Sequence, residues 1–199
     1  MRVGIVGGTF DPIHLGHTAM AEAGAECARL DRVLLIPADV PPHRPPVVAP
    51  AADRLEMCRL AAASHARLEV SDIELRRGGP SYTVDTLREL RRQRPGDELY
   101  LLLGWDAARE IRAWRAPDEV MRLARLVIVT RPGYPAPTVD DVAAAGIDPA
   151  RAVLCDAHTP DVESSDVRRL IEEGASLGGL VDPAVESYLR RRGLYAARR

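Results

Sequence analysis

Two histidines three residues apart, His14 and His17, follow a paired-glycine turn in the run Gly7-Gly8-Thr9-Phe10-Asp11-Pro12-Ile13-His14-Leu15-Gly16-His17. Paired glycines let backbone N–H groups close on an anion. The helix predicted to start near Leu15 points its positive end at the same place. Histidines at i and i+3 share one face of that helix, where their ring nitrogens can donate to phosphate oxygens. Gly16 between them leaves room beside the helix for a flat ring or a phosphate. A metal pair or plain surface decoration would explain the histidines but not the glycine turn before them. No Gly-Lys-Ser/Thr follows, which excludes a P-loop, and the spacing is not the dinucleotide G-x-G-x-x-G. The run therefore reads as a phosphate-binding first βα turn at the carboxyl end of a strand.

The elements that must position this turn follow from the apolar pattern. Strands are predicted over 2–6, 32–36, 68–75, 99–103, 126–130 and 153–155. Helices are predicted over about 15–30 and 52–64, along the face Val84, Leu87 and Leu90, and from Pro117 to about Ala124. Two more close the chain. Ser164 caps one, with Gly174 as its stop; Asp182-Pro183 opens the other, which stops at Gly193. Six prolines between Pro37 and Pro50 make that stretch a loop, long enough to suggest function. Alternating strands and helices predict the α/β class: a Rossmann-like, doubly wound parallel sheet with a small helical C-terminal part. Residues 1–160 form the α/β core and 161–199 the helical part, within one domain.

Composition narrows the function classes. The chain has 199 residues and a formal net charge of −2, which argues against a protein held to nucleic acid by bulk electrostatics. No long uncharged apolar run predicts a membrane span, and the early Gly7-Gly8 argues against a signal peptide. The basic residues number 27 and all are Arg, as expected of a GC-rich coding bias. Any long cation on a phosphate is therefore an arginine. Three scattered cysteines, Cys27, Cys58 and Cys155, suggest reduced, mostly buried thiols in a cytoplasmic protein. His65 and His158 read as surface residues, and Arg190-Arg191-Arg192 as a solvated helix face.

The first run resembles the signature of the nucleotidyltransferase superfamily with the H-x-G-H motif. In its fuller form, with Asp11-Pro12, it resembles the bacterial nicotinate-nucleotide adenylyltransferase family. Further segments agree along nearly the whole chain. Pro41-Pro42-His43-Arg44 is similar to that family's Pro-Pro-His-Lys loop. Gly79-Pro80-Ser81-Tyr82-Thr83 with Thr86-Leu87 is similar to its nicotinate-side segment. Gly104-Trp105-Asp106, Trp114 and Arg131-Pro132-Gly133 also match, as does Gly193-Leu194-Tyr195. Ser164-Ser165-Asp166-Val167-Arg168 resembles its second nucleotide-binding motif, I-S-S-T-x-I-R. Glu163 departs from the usual Ser, Ser165 from the usual Thr, and Arg44 from the usual Lys.

The resemblance implies that the adenylyl group of ATP passes to nicotinate mononucleotide, with Mg²⁺ held mainly by the ATP phosphates. The acceptor phosphate is already an anion, so no general base is required. That agrees with a chain lacking any Ser-His-Asp or Cys-His arrangement. His14, His17 and Arg168 are then the catalytic residues. Gly8, Thr9 and Phe10, through their backbone N–H groups, join the two histidines, Ser165 and Arg168 in binding ATP. Arg44, Ser81, Tyr82, Thr83, Gly104, Asp106, Trp114 and Arg131 bind the mononucleotide. Plainer roles stay open for three of these: Trp114 in the core, Asp106 as a helix N-cap, Arg131 as a solvated turn residue. Neither a nucleic-acid nor a membrane partner is expected, and a homodimer is left open. Two other functions remain: an adenylyltransferase for another acceptor, such as nicotinamide mononucleotide or pantetheine phosphate, and a non-catalytic nucleotide sensor.

Overall fold

Val3, Ile5 and Val6 lie at 0–2% exposure, because the first strand, β1 (Arg2–Gly8), is covered on both faces. In the computed structural model, which describes residues 1–42, 47–130, 136–157 and 159–197, it leads into α1 (Leu15–Cys27), β2 (Arg32–Pro37), α2 (Ala51–Ala62), β3 (Leu68–Val70), α3 (Ile73–Arg77) and α4 (Thr83–Gln93). Then come β4 (Glu98–Gly104), α5 (Trp105–Ala108), α6 (Pro117–Leu123), β5 (Arg125–Val129), α7 (Val139–Ala144), β6 (Ala152–Cys155), α8 (Ser164–Glu172) and α9 (Pro183–Arg192).

Among the described residues the strands form one parallel sheet in the order β3-β2-β1-β4-β5-β6. The chain winds outward from β1 in one direction, then returns to its other side at β4. That reversal leaves a crevice beyond the carboxyl ends of β1 and β4, where such sheets take ligands. Alternate residues of each strand face opposite layers. Val3, Ile5, Leu34, Leu101 and Ile128 pack under α4 and α6. Val6, Leu35, Leu102 and Val127 pack under α1, α2, α8 and α9. Helix α1 lies so close to the sheet that a Cβ on Gly24 would stand 2.5 Å from Leu102 Cδ2.

The predicted sheet and helical tail are present, with local corrections. The stretch predicted as a strand over 68–75 is a strand only to Val70. Ser71 and Asp72 then turn it, and Ile73, Glu74 and Arg77 continue as α3, with Arg76 paired to Asp72 at 2.7 Å. Helix α7, capped by Thr138 and Asp141, was not foreseen. Within residues 161–197, Val162, Val167, Leu177, Val181, Val185 and Leu189 pack into the same core as Phe10 and Met57.

Helices α2 and α9 are joined at Asp53, which is buried and accepts from the Tyr188 hydroxyl at 2.7 Å and from Arg192 at 3.0 Å. Arg192 is exposed, as expected of a solvated helix face, but it also ties α9 to Asp53, whereas Arg190 and Arg191 bond within α9 to Glu186 and Ser187. Burial raises the Asp53 carboxyl, but the Tyr188 and Arg192 hydrogen bonds outweigh it and hold the group below the ordinary carboxylate value. A depressed carboxylate contributes stability at neutral pH and loses it as the pH falls through its folded-state value. Tyr188→Phe is expected to lower Tm by about 3–12 °C at pH 7, the scale of one hydrogen bond to a charged group. The gap to the parent protein narrows as the pH falls through the folded-state value of Asp53, which lies below the ordinary carboxylate value; paired thermal melts over a descending pH series will check this.

Candidate active site

The turn after β1 is held from several sides. Phe10 sits at φ 48°, a left-handed backbone rarely taken by a bulky residue, and its ring is fully buried. Strain of this kind persists only where the surroundings over-determine it. Here the ring anchors in the core while its edge meets the His17 ring, centroids 5.0 Å apart. The His14 and His17 rings lie face to face at 3.7 Å, tilted by 30°. The backbone N–H of His14 donates to His17 Nδ1 at 3.3 Å. With Nδ1 accepting, a neutral His17 carries its proton on Nε2. Gly16 has a different use from the one its sequence position suggests: the room beside it is filled by the His14 ring. A Cβ there would stand 3.0 Å from His14 Nδ1 and 3.2 Å from the Pro160 carbonyl oxygen.

Asp11 is the hub beneath the turn. Its carboxylate accepts from the backbone N–H groups of Val48 and Ala49 at 2.7 and 3.0 Å, and from the Tyr195 hydroxyl at 2.6 Å. Burial, and after it the Asp11 carboxylate, push the Tyr195 hydroxyl well above an ordinary phenol, so it remains a proton donor. The Asp11 carbonyl accepts from Arg168 at 2.6 Å. The next carbonyl, that of Pro12, accepts from the Ser164 hydroxyl at 2.9 Å. The opening of α8 is thereby fastened to the glycine turn. Ser164 performs this tie rather than capping α8, whose N-cap is Glu163. The Ser165 hydroxyl donates to Glu163 at 3.0 Å.

Arg54 is 1% exposed and was not foreseen. Its guanidinium donates to the carbonyls of Thr9, Ala38 and Ala49 at 2.8, 2.6 and 3.2 Å. Among the described residues no carboxylate pairs with it within 4 Å. One signal was visible: Arg54 shares a helical face with Met57, Cys58 and Ala61, all buried.

The far side of the site is built around α4. The end of β2 reaches it through Asp39, whose N–H donates to Ser81 Oγ and whose carboxylate accepts from the Gly79 N–H, both at 2.9 Å. Buried Glu74 accepts from Thr86 Oγ1, which also receives Arg77. These bonds fix the entry to α4: the Ser81 N–H donates to the Val40 carbonyl at 2.9 Å and the Tyr82 N–H to the Pro80 carbonyl at 3.1 Å, so the N–H groups with no acceptor within the helix begin at Thr83. Arg115 lies over the Tyr82 ring at 4.5 Å and pairs with Asp85 at 3.5 Å. Asp106 stands in the first turn of α5, whose N-cap is Gly104, so the cap role does not fall to it.

A single cleft of about 870 Å³ connects the two sides. Gly8, Thr9, His14, His17, Ser165 and Arg168 line one end; Ser81, Tyr82, Thr83, Gly104, Asp106 and Trp114 line the other. Phe10, also expected in the ATP site, is not among the residues lining this cleft, and its side chain is buried. Arg44 and Arg131 lie outside the described residues, as does His158. His65 sits away from the cleft, 3.3 Å from Glu22. Among the described residues no group of three or more His, Cys, Asp or Glu side chains is placed to hold a metal ion.

A glycine turn, a histidine pair and a second helix opening, set at the switch point of a parallel sheet, are the equipment of a nucleotidyltransferase. The chain matches the cytidylyltransferase-like family model over residues 5–170. It is 45% identical over 197 residues to a probable nicotinate-nucleotide adenylyltransferase of Thermus thermophilus, spanning 98% of this chain and 100% of that one. A relative of the same name from Geobacter is 40% identical over 212 residues, spanning 98% of both. The solved structure of Plasmodium falciparum nicotinic acid mononucleotide adenylyltransferase complexed with NaAD shares the fold, with a TM-score of 0.78 at 16% identity over 98% of this chain and 97% of that one. The chain belongs to the nicotinate-nucleotide adenylyltransferases, within the cytidylyltransferase-like family.

Proposed function

We propose that the protein transfers the adenylyl group of ATP to nicotinate mononucleotide, giving deamido-NAD and pyrophosphate. The observation that carries this reading is the single cleft, with a phosphate-binding turn at one end and a helix opening beside Tyr82 and Trp114 at the other. The mononucleotide phosphate attacks the α-phosphorus of ATP, and the bond to pyrophosphate breaks on the opposite side. The chain has to align two polyanions and stabilise charge that moves onto the leaving group. The N–H groups of residues 8–10, with His14 and His17, serve the α-phosphate. Arg168 serves the β- and γ-phosphates, together with the Ser165 hydroxyl once its proton turns from Glu163 to the nucleotide.

Nucleotidyltransferases of this kind work on ATP with a divalent metal ion; we take it here to be Mg²⁺. The donor set beside the turn offers imidazoles, a guanidinium and a hydroxyl rather than clustered carboxylates, which suits an ion carried on the ATP phosphates. The ion supplies charge neutralisation between those phosphates. A cytoplasmic location fits this substrate pair.

At the acceptor end, the first N–H groups of α4 receive the nicotinate carboxylate and Trp114 stacks on the ring. Asp106 accepts from a ribose hydroxyl. Arg44 and Arg131 are proposed to meet the mononucleotide phosphate. The carboxylate accepts from two donors, whereas the amide of nicotinamide mononucleotide turns its own donor toward them. Asp85 does not welcome that amide, because Arg88 at 2.8 Å and Arg115 already engage it. An unpaired buried donor costs about 1–3 kcal/mol, so kcat/KM is expected to favour the acid by at least ~10-fold. Pyrophosphate release at saturating MgATP, with nicotinate mononucleotide, nicotinamide mononucleotide and pantetheine phosphate in parallel, tests the assignment. Equal rates for acid and amide, or turnover of pantetheine phosphate, would overturn it.

A further inference from the structure

Away from the cleft, two of the three thiols meet. Cys27 closes α1 and Cys155 closes β6, the edge strand of the sheet. The Cys27 Sγ lies 3.8 Å from the carbonyl of Leu154, the neighbour of Cys155. The Cys155 Sγ lies 3.4 Å from the carbonyl of Ala23, one helical turn before Cys27. Each side chain reaches across the same seam from its own side, which sets the two thiols beside each other. Cys27 is exposed to solvent; Cys155 is buried behind it. The third thiol, Cys58, is fully buried on α2.

We propose that Cys27 and Cys155 form a redox-responsive dithiol, which a peroxide closes to a disulfide in place. Exposed Cys27 meets the oxidant first. Its thiolate attacks hydrogen peroxide, an S–O bond forms, the O–O bond breaks and hydroxide leaves, giving a sulfenic acid. The Cys155 sulfur then attacks the Cys27 sulfur. The S–S bond forms, the S–O bond breaks, and water departs with the Cys155 proton. Two thiols lose two electrons and two protons, and the peroxide becomes two waters.

The order of events follows from the surroundings. Burial first, then the Cys27 thiol and the carboxylates of Asp156 and Glu26, push the Cys155 thiol up to about 12. Buried and reluctant to ionise, Cys155 does not meet the oxidant first; it resolves the Cys27 sulfenic acid because it stands beside it, and its proton leaves with the hydroxyl as water. Burial pushes the Cys58 thiol up as well and shields it from the oxidant. The pair is also remote from the histidines. Cys27 ends a helix of 13 residues that begins beside His14, a span of about 20 Å at ~1.5 Å per residue.

The test is a thiol count on the full chain, unfolded after treatment with hydrogen peroxide. The reduced protein titrates three thiols, one per cysteine. The treated protein is expected to titrate one, to lose the mass of two hydrogen atoms, and to join the Cys27 and Cys155 peptides until dithiothreitol is added. Its Tm is expected to rise by about 5–10 °C, because the bond closes a long loop of the unfolded chain. Cys58→Ala still closes the bond; Cys27→Ser does not. Survival of all three thiols overturns the proposal. So does oxidation of Cys27 to a sulfinic acid beside an unchanged Cys155, or a disulfide that includes Cys58.

Discussion

His17→Ala lowers kcat by at least ~10²-fold, the scale of losing one preorganised donor to a developing charge, and leaves Tm within a few degrees of the parent. His17 is only half-buried, so its removal opens little core. Its ring is nonetheless held on three sides: by the Phe10 edge, the His14 face and the His14 N–H. That grip aims Nε2 at a fixed point, and preorganisation is what makes a hydrogen bond count in catalysis. Loss of the ring also deprives His14 of its stacking partner, so a second variant separates the two effects. His17→Asn keeps an oxygen for the His14 N–H but falls short of the position of Nε2. It is expected to fold like the parent and to lose activity like the alanine variant. Single-turnover rates at saturating MgATP give the measurement, and near-normal turnover in both variants would remove His17 from the chemistry.

Arg54→Met combines loss of stability with loss of ATP binding. The guanidinium satisfies the carbonyls of Thr9, Ala38 and Ala49, and methionine fills the volume without satisfying any of them. At about 1–3 kcal/mol for each buried acceptor left unpaired, partly offset by local shifts, the loss is about 3–5 kcal/mol. Chemical denaturation gives that figure. Arg54→Lys keeps the charge but not the fork. It is expected to recover most of the stability while KM for ATP stays raised by about 10-fold, since the fork that fixes the Thr9 carbonyl relative to those of Ala38 and Ala49 is lost. Full recovery of both quantities would reduce Arg54 to a buried charge with no part in shaping the turn.

The parts of the molecule legible in its sequence are those where chemistry and chain order coincide. The glycine turn, His14, Gly16 and His17 are contiguous, so their residue types and spacing reveal both the strand end and the helix start. The parallel sheet was legible from the alternation of apolar runs with helical faces. Glu74 and Arg77 were not, because a short stretch of mixed polarity after an edge strand fits either period. Asp11 was visible as part of a run, but its work as a hub depends on Val48, Ala49 and Tyr195, which only the fold brings to it. Arg54 and Asp53 carry a general signal: a charge on the apolar face of a helix has a buried partner somewhere. The meeting of Cys27 with Cys155 left no trace in spacing, since the seam between α1 and β6 exists only once the sheet is formed.

The bond from the Tyr195 hydroxyl to Asp11 spans 184 positions of the chain, and this ties the site to the timing of synthesis. A ribosome adds about 5–20 residues per second, so the turn with its histidines precedes Tyr195 by about 9–37 s. Through that interval the Asp11 carboxylate lacks its third donor, and until Ser164 and Arg168 emerge the carbonyls of Pro12 and Asp11 lack theirs as well. A nascent chain thus carries a phosphate-binding turn whose seat is incomplete, and it does not hold ATP as the finished protein does. That seat is complete only once α9 has docked and the Tyr195 hydroxyl reaches Asp11.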